Sequence, residues 1–112
     1  MTEKTNTVPY DKLVRDKIPE IIKNSNRIPK SRILEEDEEY MQYLIRKLQE
    51  EIQEFMENPC VEELADIKEV IDSLSSIRKF QDVDSIQVKK RMERGGFDGR
   101  ILLTGIFEHQ EK

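Results

Sequence analysis

The sequence has no tryptophan, one cysteine, and only four glycines and four prolines among its 112 residues. An all-β domain needs many turn residues, so this scarcity of glycine and proline argues against one. The single cysteine, Cys60, leaves no partner for an intrachain disulfide, which fits a reducing compartment. No apolar run follows Met1, so the sequence predicts neither a signal peptide nor a membrane span, and we expect a cytoplasmic location.

Charged residues make up 38% of the chain, and the formal net charge is −5. Proteins that bind DNA or RNA through the phosphate backbone are usually basic, so long nucleic acid is not an expected partner. A large charged share is typical of amphipathic helices with solvated outer faces. A chain of this length predicts one domain with a modest core.

The spacing of the apolar residues predicts an all-α fold with four helices. The expected helices span about residues 17–25, 37–57, 59–79 and 82–94. Because only Asn58-Pro59 separates the second helix from the third, these two are expected to form an antiparallel hairpin, the centre of a helical bundle. Asn58 is the expected N-cap of the third helix and Asp16 that of the first, where Pro19 then falls in the first turn.

The segments outside the helices differ in character. Residues 1–9 are polar and predict a flexible lead-in to a single domain over residues 10–112. Gly95-Gly96 is expected to end the fourth helix. The tail over residues 100–107 is apolar, so we expect it to pack as an extended segment, against residues 32–34.

Four carboxylates stand out on the predicted hairpin. At roughly 100° per residue, Glu51 and Glu54 share one flank of the second helix, whereas Glu50 points away from its apolar stripe. On the third helix, Glu63 falls inside the apolar arc and Asp66 lies at its edge. A buried carboxylate without a partner is costly. Glu63 is therefore expected to become neutral, to pair with an arginine or lysine, or to bind a metal ion, and the spacing leaves all three open.

The hairpin would bring both carboxylate pairs into one cleft. Oxygen ligands without a nearby histidine favour Mg²⁺, with Mn²⁺ as a substitute, over Zn²⁺. Protein-bound Mg²⁺ keeps several waters and bridges to phosphates, so the pattern indicates a small phosphate-bearing ligand. Such a site can activate a water for attack on phosphorus, with Glu51 and Glu54 as the candidate catalytic residues.

The pattern Glu50-Glu51-x-x-Glu54, followed by Glu63-x-x-Asp66 on the next helix, resembles the metal-binding signature of the MazG-like all-α nucleoside triphosphate pyrophosphohydrolases. Residues 12–22 and 93–97 resemble the branch related to phosphoribosyl-ATP pyrophosphohydrolase, and the resemblance spans most of residues 10–103. It implies a helical bundle, dependence on Mg²⁺, release of pyrophosphate from a nucleotide, and a homodimer or homotetramer. It also implies that the metal ligands are Glu51, Glu54, Glu63 and Asp66.

The basic residues allow two interpretations. A single lysine or arginine on an acidic chain is most often solvated, but a triphosphate needs cations beyond the metal. On the resemblance, Arg15, Lys17 and Arg94 are the expected residues that contact substrate phosphate. Arg15 and Lys17 also precede or open a helix, whose N-terminus favours anions.

Three functions are compatible with these features. The first is a Mg²⁺-dependent enzyme that converts a nucleoside triphosphate to a monophosphate and pyrophosphate, in a house-cleaning role. The second is hydrolysis of a phosphoribosyl nucleotide, and the third is a non-catalytic helical module that binds a nucleotide or a partner. Short helices from 112 residues leave apolar faces uncovered, which also predicts a homo-oligomer.

Overall fold

The computed structural model describes residues 11–109, so the predicted lead-in over residues 1–9 lies outside the described residues. Within them the chain forms four α-helices and one short 3₁₀ turn, without a β-strand, which confirms the all-α prediction for this part of the chain. The elements are α1 (Ile18–Asn24), α2 (Asp37–Glu57), α3 (Val61–Ser75), the 3₁₀ turn (Arg78–Phe80) and α4 (Val83–Arg94). No helix over residues 11–109 is both long enough and apolar enough to cross a membrane.

Helices α2 and α3 pack against each other as the predicted hairpin. The bounds of α2 agree with the prediction, but α3 is shorter at both ends than the expected 59–79. Asn58 is not the N-cap of α3, because its N–H continues the α2 ladder to the Glu54 carbonyl oxygen at 3.0 Å. The N-cap is Cys60, whose backbone is extended.

Two consecutive serines mark the end of α3. The Ser75 hydroxyl donates to the carbonyl oxygen of Ile71, and the Ser76 hydroxyl donates to that of Ser73. Serine side chains that bond to nearby carbonyls compete with the helical ladder. This competition at two adjacent positions accounts for a helix that ends at Ser75 rather than at the expected Lys79.

The short helix α1 differs from the prediction at its first turn. Its N-cap position is Lys17 rather than Asp16, and no side chain caps it. Pro19 is confirmed in the first turn, where its missing N–H has no partner to lose. The fixed φ of proline therefore helps to begin a helix that lacks a capping side chain.

The chain separates into two compact units, Met1–Gln81 and Asp82–Lys112. In the first unit, the buried residues Leu44, Val70 and Ile77 form the core. Partly buried side chains from the segment before α1, from α2, from α3 and from the 3₁₀ turn pack against this core. They are Leu13, Tyr40, Met41, Leu48, Leu74 and Phe80. The hairpin thus supplies most of the core. That residues 10–112 form one domain stays a prediction.

The second unit contains α4 and the tail, and every described residue from 82 to 109 is exposed. Helix α4 ends at Gly95, as predicted, with φ of +82° and ψ of 177°, a backbone conformation that favours glycine. Beyond it, Arg91 and Asp98 form an ion pair at 2.7 Å. Residues 101–109 form neither helix nor strand. The tail was expected to pack, but the apolar side chains from Ile101 to Phe107 are exposed.

The core makes a direct prediction about stability. Leu44 is only 2% exposed, so Leu44→Ala removes buried methyl groups and leaves a cavity at the centre of the hairpin. We expect the free energy of unfolding to fall by about 2–4 kcal/mol. Urea denaturation measures it, with Ile28→Ala as the control, since Ile28 is 95% exposed. An equal, small effect of both substitutions would contradict the assignment of Leu44 to the core.

Candidate metal centre

Three carboxylates of the hairpin lie on the same helix faces as its core residues. On α2, Glu51 follows the buried Leu44 by seven residues, and on α3 Asp66 and Glu63 precede the buried Val70 by four and by seven. Residues at these spacings share one helix face. All three carboxylates therefore lie on the inner side of the hairpin, between its core and its turn.

The structure brings the ligand atoms of Glu51, Glu63 and Asp66 within 4.8 Å of one another. Opposite ligands of a Mg²⁺ ion are about 4.2 Å apart, because each metal–oxygen distance is about 2.1 Å. Small rotations of the side chains would thus bring the three oxygens to the distances that Mg²⁺ requires. The donor set, three carboxylates from two helices, is the kind that Mg²⁺ and Mn²⁺ prefer.

Two oxygens of this cluster are left without a hydrogen-bond partner. They are Oε1 of Glu51 and Oε1 of Glu63, and both atoms are buried. Glu51 as a whole is only 7% exposed. A buried oxygen without a donor has lost its water and gained nothing in exchange, which destabilises the fold. A cation between the carboxylates would satisfy both oxygens.

The electrostatics of the cluster follow from burial and from crowding of like charges. Burial raises the pKa of Glu51, and the neighbouring charges of Glu54 and Asp66 raise it further, while Lys47 opposes them. The pKa of Glu63 is also raised, first by burial and then by the charges of Glu54 and Asp66. Two carboxyls that resist ionisation for the same reason are stabilised in their charged form by a cation.

Glu54 is the outermost of the four predicted ligands. It is exposed and lies outside the group of three whose oxygens converge. It is nonetheless a neighbour, since its charge and a hydrogen bond with its carboxyl both raise the pKa of Glu63. Glu54 therefore lies beside the cluster and open to solvent, and its role as a metal ligand stays a prediction.

Lysines flank the cluster on the α2 side. Lys47 lies 3.6 Å from Glu51 Oε2 and 3.2 Å from Glu50 Oε1, and Lys12 lies 3.1 Å from Glu50 Oε2. The hydrogen bond from Lys12, with that from Lys47, lowers the pKa of Glu50. The contacts Lys12–Glu50, Glu50–Lys47 and Lys47–Glu51 therefore connect the segment before α1 to the buried Glu51 carboxylate. The other oxygen of Glu51, Oε1, has no hydrogen-bond partner.

The three predicted phosphate-binding residues have different positions. Arg15 lies at the cluster, where its Nη2 donates to Asp66 Oδ1 at 2.7 Å. Lys17 is exposed at the N-cap of α1, and within residues 11–109 no ion pair connects it to the cluster. Arg94 is the last residue of α4 in the second unit and is exposed. A role for Arg15, Lys17 and Arg94 in binding phosphate stays a prediction.

Two expectations about individual residues change. The sequence pattern placed Glu63 inside the apolar arc and Glu51 on a flank, but the buried acid is Glu51, whereas Glu63 is only partly buried. Glu50 is partly buried and bonded to two lysines rather than simply solvated. Lys47 was missed, although its spacing of four residues from Glu51 is a recognisable ion-pair pattern.

Comparisons of the chain with models of protein families, with curated proteins and with solved structures found no match. The resemblance to the MazG-like pyrophosphohydrolases therefore rests on the motif residues alone and stays a prediction.

The raised pKa of Glu51 predicts how stability depends on pH. A carboxyl whose folded-state pKa lies above the usual value of 4.5 destabilises the fold once it ionises, and the full penalty is present above the folded-state pKa. With chelator present, we expect Glu51→Gln to raise the melting temperature at pH 7 by a few degrees. The gain should shrink as the pH falls through the raised folded-state pKa toward 4.5, and it should be lost below 4.5, where Glu51 is protonated in both states.

Thermal denaturation of both proteins between pH 4 and pH 8 measures this difference. Glu69→Gln is the matched control, because Glu69 is an exposed glutamate on α3 outside the cluster. A wild-type protein that is more stable than Glu51→Gln at pH 7, without any divalent cation, would show that Glu51 is stabilised by something other than a metal.

Proposed function

We propose that this protein is a Mg²⁺-dependent nucleoside triphosphate pyrophosphohydrolase, which forms a nucleoside monophosphate and pyrophosphate. The observation that supports it most is the buried, unpartnered Oε1 of Glu51, which belongs to a group of three converging carboxylates. A packing module gains nothing from such an atom, whereas a metal site requires it. The motif residues that resemble the MazG-like signature include all three members of this group.

In this proposal, Glu51, Glu63 and Asp66 hold the cation, and Glu54 completes the set from its outer position. Bound Mg²⁺ would neutralise phosphate oxygens and lower the pKa of a bound water. Arg15 donates to Asp66 at the cluster and would contact the phosphate chain of the substrate, with Lys17 and Arg94 as further candidates. Lys47 holds Glu51 in place through an ion pair with its Oε2 atom.

The reaction needs a nucleophile, a proton acceptor and a leaving group. Water attacks the α phosphorus of the nucleotide. The bond from this phosphorus to the oxygen that bridges to the β phosphorus breaks, and pyrophosphate leaves with the electron pair. The proton of the water passes to a carboxylate. Glu54 is the best placed acceptor, since it is exposed beside Glu63. Glu51, in its ionised form, is the second candidate acceptor.

The substrate class follows from the same features. A net charge of −5 opposes binding of long nucleic acid, while a cation-bridged triphosphate is a suitable ligand for an acidic cleft. A nucleotide substrate and a single cysteine suit a cytoplasmic enzyme, with removal of unwanted nucleotides as its role. A phosphoribosyl nucleotide presents the same phosphate chain and is the alternative substrate.

The activity is tested with purified protein, Mg²⁺ and a panel of nucleoside triphosphates that includes phosphoribosyl-ATP. We expect release of pyrophosphate rather than phosphate. Glu51→Gln should reduce the rate at least about 100-fold, because it removes a charged ligand at the centre of the site. Separating pyrophosphate from phosphate by ion chromatography identifies which bond breaks.

The matched control is Glu69→Gln, which removes the same charge from α3 outside the cluster and should retain the wild-type rate. No turnover on any nucleotide, together with no Mg²⁺-dependent rise in melting temperature, would reject the enzyme. The exposed apolar side chains of the hairpin would then favour the non-catalytic module that binds a partner.

We further propose that the protein works as a homodimer or homotetramer. Only three apolar residues are buried among residues 11–109, and large apolar side chains remain exposed on both helices of the hairpin. They include Ile45, Ile52 and Met56 on α2 and Leu64 and Ile71 on α3. A second copy, carrying the same apolar residues, would cover them by two-fold pairing.

Light scattering after size exclusion tests this proposal, and we expect a mass of at least twice 13.3 kDa. Ile71→Glu should reduce the mass to that of a monomer, because it places a charge within the apolar set. Lys68→Gln is the control, since it changes the net charge by the same amount one turn earlier on α3. A wild-type mass of 13.3 kDa at micromolar concentration would reject the oligomer.

A further inference from the structure

Arg15 and the carboxylate cluster share one residue. The guanidinium Nη2 of Arg15 donates to Asp66 Oδ1 at 2.7 Å, and Asp66 is one of the three acids whose oxygens converge. The Arg15 side chain is 57% exposed and that of Asp66 is 38% exposed. The Asp66 carboxylate is therefore both the ion-pair partner of Arg15 and a ligand of the proposed cation.

These two roles oppose each other. A guanidinium and a divalent cation on one carboxylate repel, so each weakens the binding of the other. An anion that contacts both cations removes the repulsion, because it lies between two positive charges. The fork of Arg15 suits this exchange, since one nitrogen donates to Asp66 and the rest of the planar group can bind phosphate oxygens.

The position of Arg15 in the chain favours movement. It lies in the non-helical segment before α1, and its side chain is mostly exposed. Lys47, the other cation at the cluster, projects from the middle of α2, and its side chain is only 21% exposed. Of the two, Arg15 has the freedom to leave its carboxylate, and Lys47 is held beside Glu51 and Glu50.

We propose that Arg15 is an exchangeable counterion that couples the binding of cation and phosphate. It neutralises Asp66 while no cation is bound, and it moves to the phosphate chain when the cation binds at Asp66. The metal and its phosphate ligand therefore bind cooperatively, each raising the affinity for the other. This inference rests on the proposed function and adds to it the regulation of the same site.

The test uses two ligands on the full-length protein, without turnover. Mn²⁺ binding alone is measured by electron paramagnetic resonance, and binding of the Mn²⁺–pyrophosphate complex is measured by calorimetry. We expect Arg15→Gln to bind Mn²⁺ alone up to about fivefold more tightly, since a competing ion pair is lost. It should bind the pyrophosphate complex about tenfold more weakly, since a charge-assisted hydrogen bond is lost.

Opposite signs for the two ligands are the signature of exchange, because a structural defect would weaken both. Lys12→Gln is the matched control, since it removes the same charge from the same segment, and Lys12 contacts Glu50 rather than a member of the cluster. We expect a smaller effect on both ligands. Equal effects of Arg15→Gln and Lys12→Gln, or weaker Mn²⁺ binding by Arg15→Gln, would overturn the inference.

Failure of the proposed function gives a different result. If neither wild type nor Arg15→Gln binds Mn²⁺, the metal centre itself is rejected and the exchange with it. If Mn²⁺ binds to wild type, is lost in Glu51→Gln and is unchanged in Arg15→Gln, the metal centre stands and only the exchange is rejected. The Glu51→Gln variant thus separates the two conclusions.

Discussion

The burial of the Glu51 carboxylate within the apolar side of a helix hairpin is the constraint on which the rest of the site depends. Glu51 occupies the next position along the face that carries Leu44 and Leu48, so the packing that forms the core also removes this acid from water. The cost of that burial grows because Glu63 and Asp66 approach it from α3. An apolar side chain would pack there without such a cost, so the burial of this acid supports the proposal that the site binds a cation.

The cations around the cluster compensate only part of this cost, and their positions show why. Lys47 contacts Oε2 of Glu51 and also pairs with Glu50, while Arg15 contacts Asp66. Neither supplies a donor to the two buried Oε1 atoms. The positive charges therefore hold the acids in place at the edges and leave the centre of the cluster negative, which is the distribution that a divalent cation requires.

Much of the fold could be predicted because it depends on local patterns. The apolar period of α2 and the short break at Asn58-Pro59 were enough for the hairpin, and the cluster follows from where the two helix faces meet. The end of α3 depends on hydrogen bonds of Ser75 and Ser76 that compete with the helix, which periodicity does not record. The contact of Arg15 with Asp66 joins residues 51 positions apart, so no local spacing contains it.

Because the core is small, the proposed cation and the proposed second copy would contribute to stability as well as to function. The three apolar residues that are buried among residues 11–109 provide little hydrophobic free energy, and the buried Glu51 reduces it further. A cation that binds only the folded hairpin raises stability in proportion to its occupancy, and a second copy that covers the apolar side chains does the same through mass action. The ionised carboxylates that weaken the isolated fold are the groups through which a cation would stabilise it, so folding and metal binding are expected to be coupled in this protein.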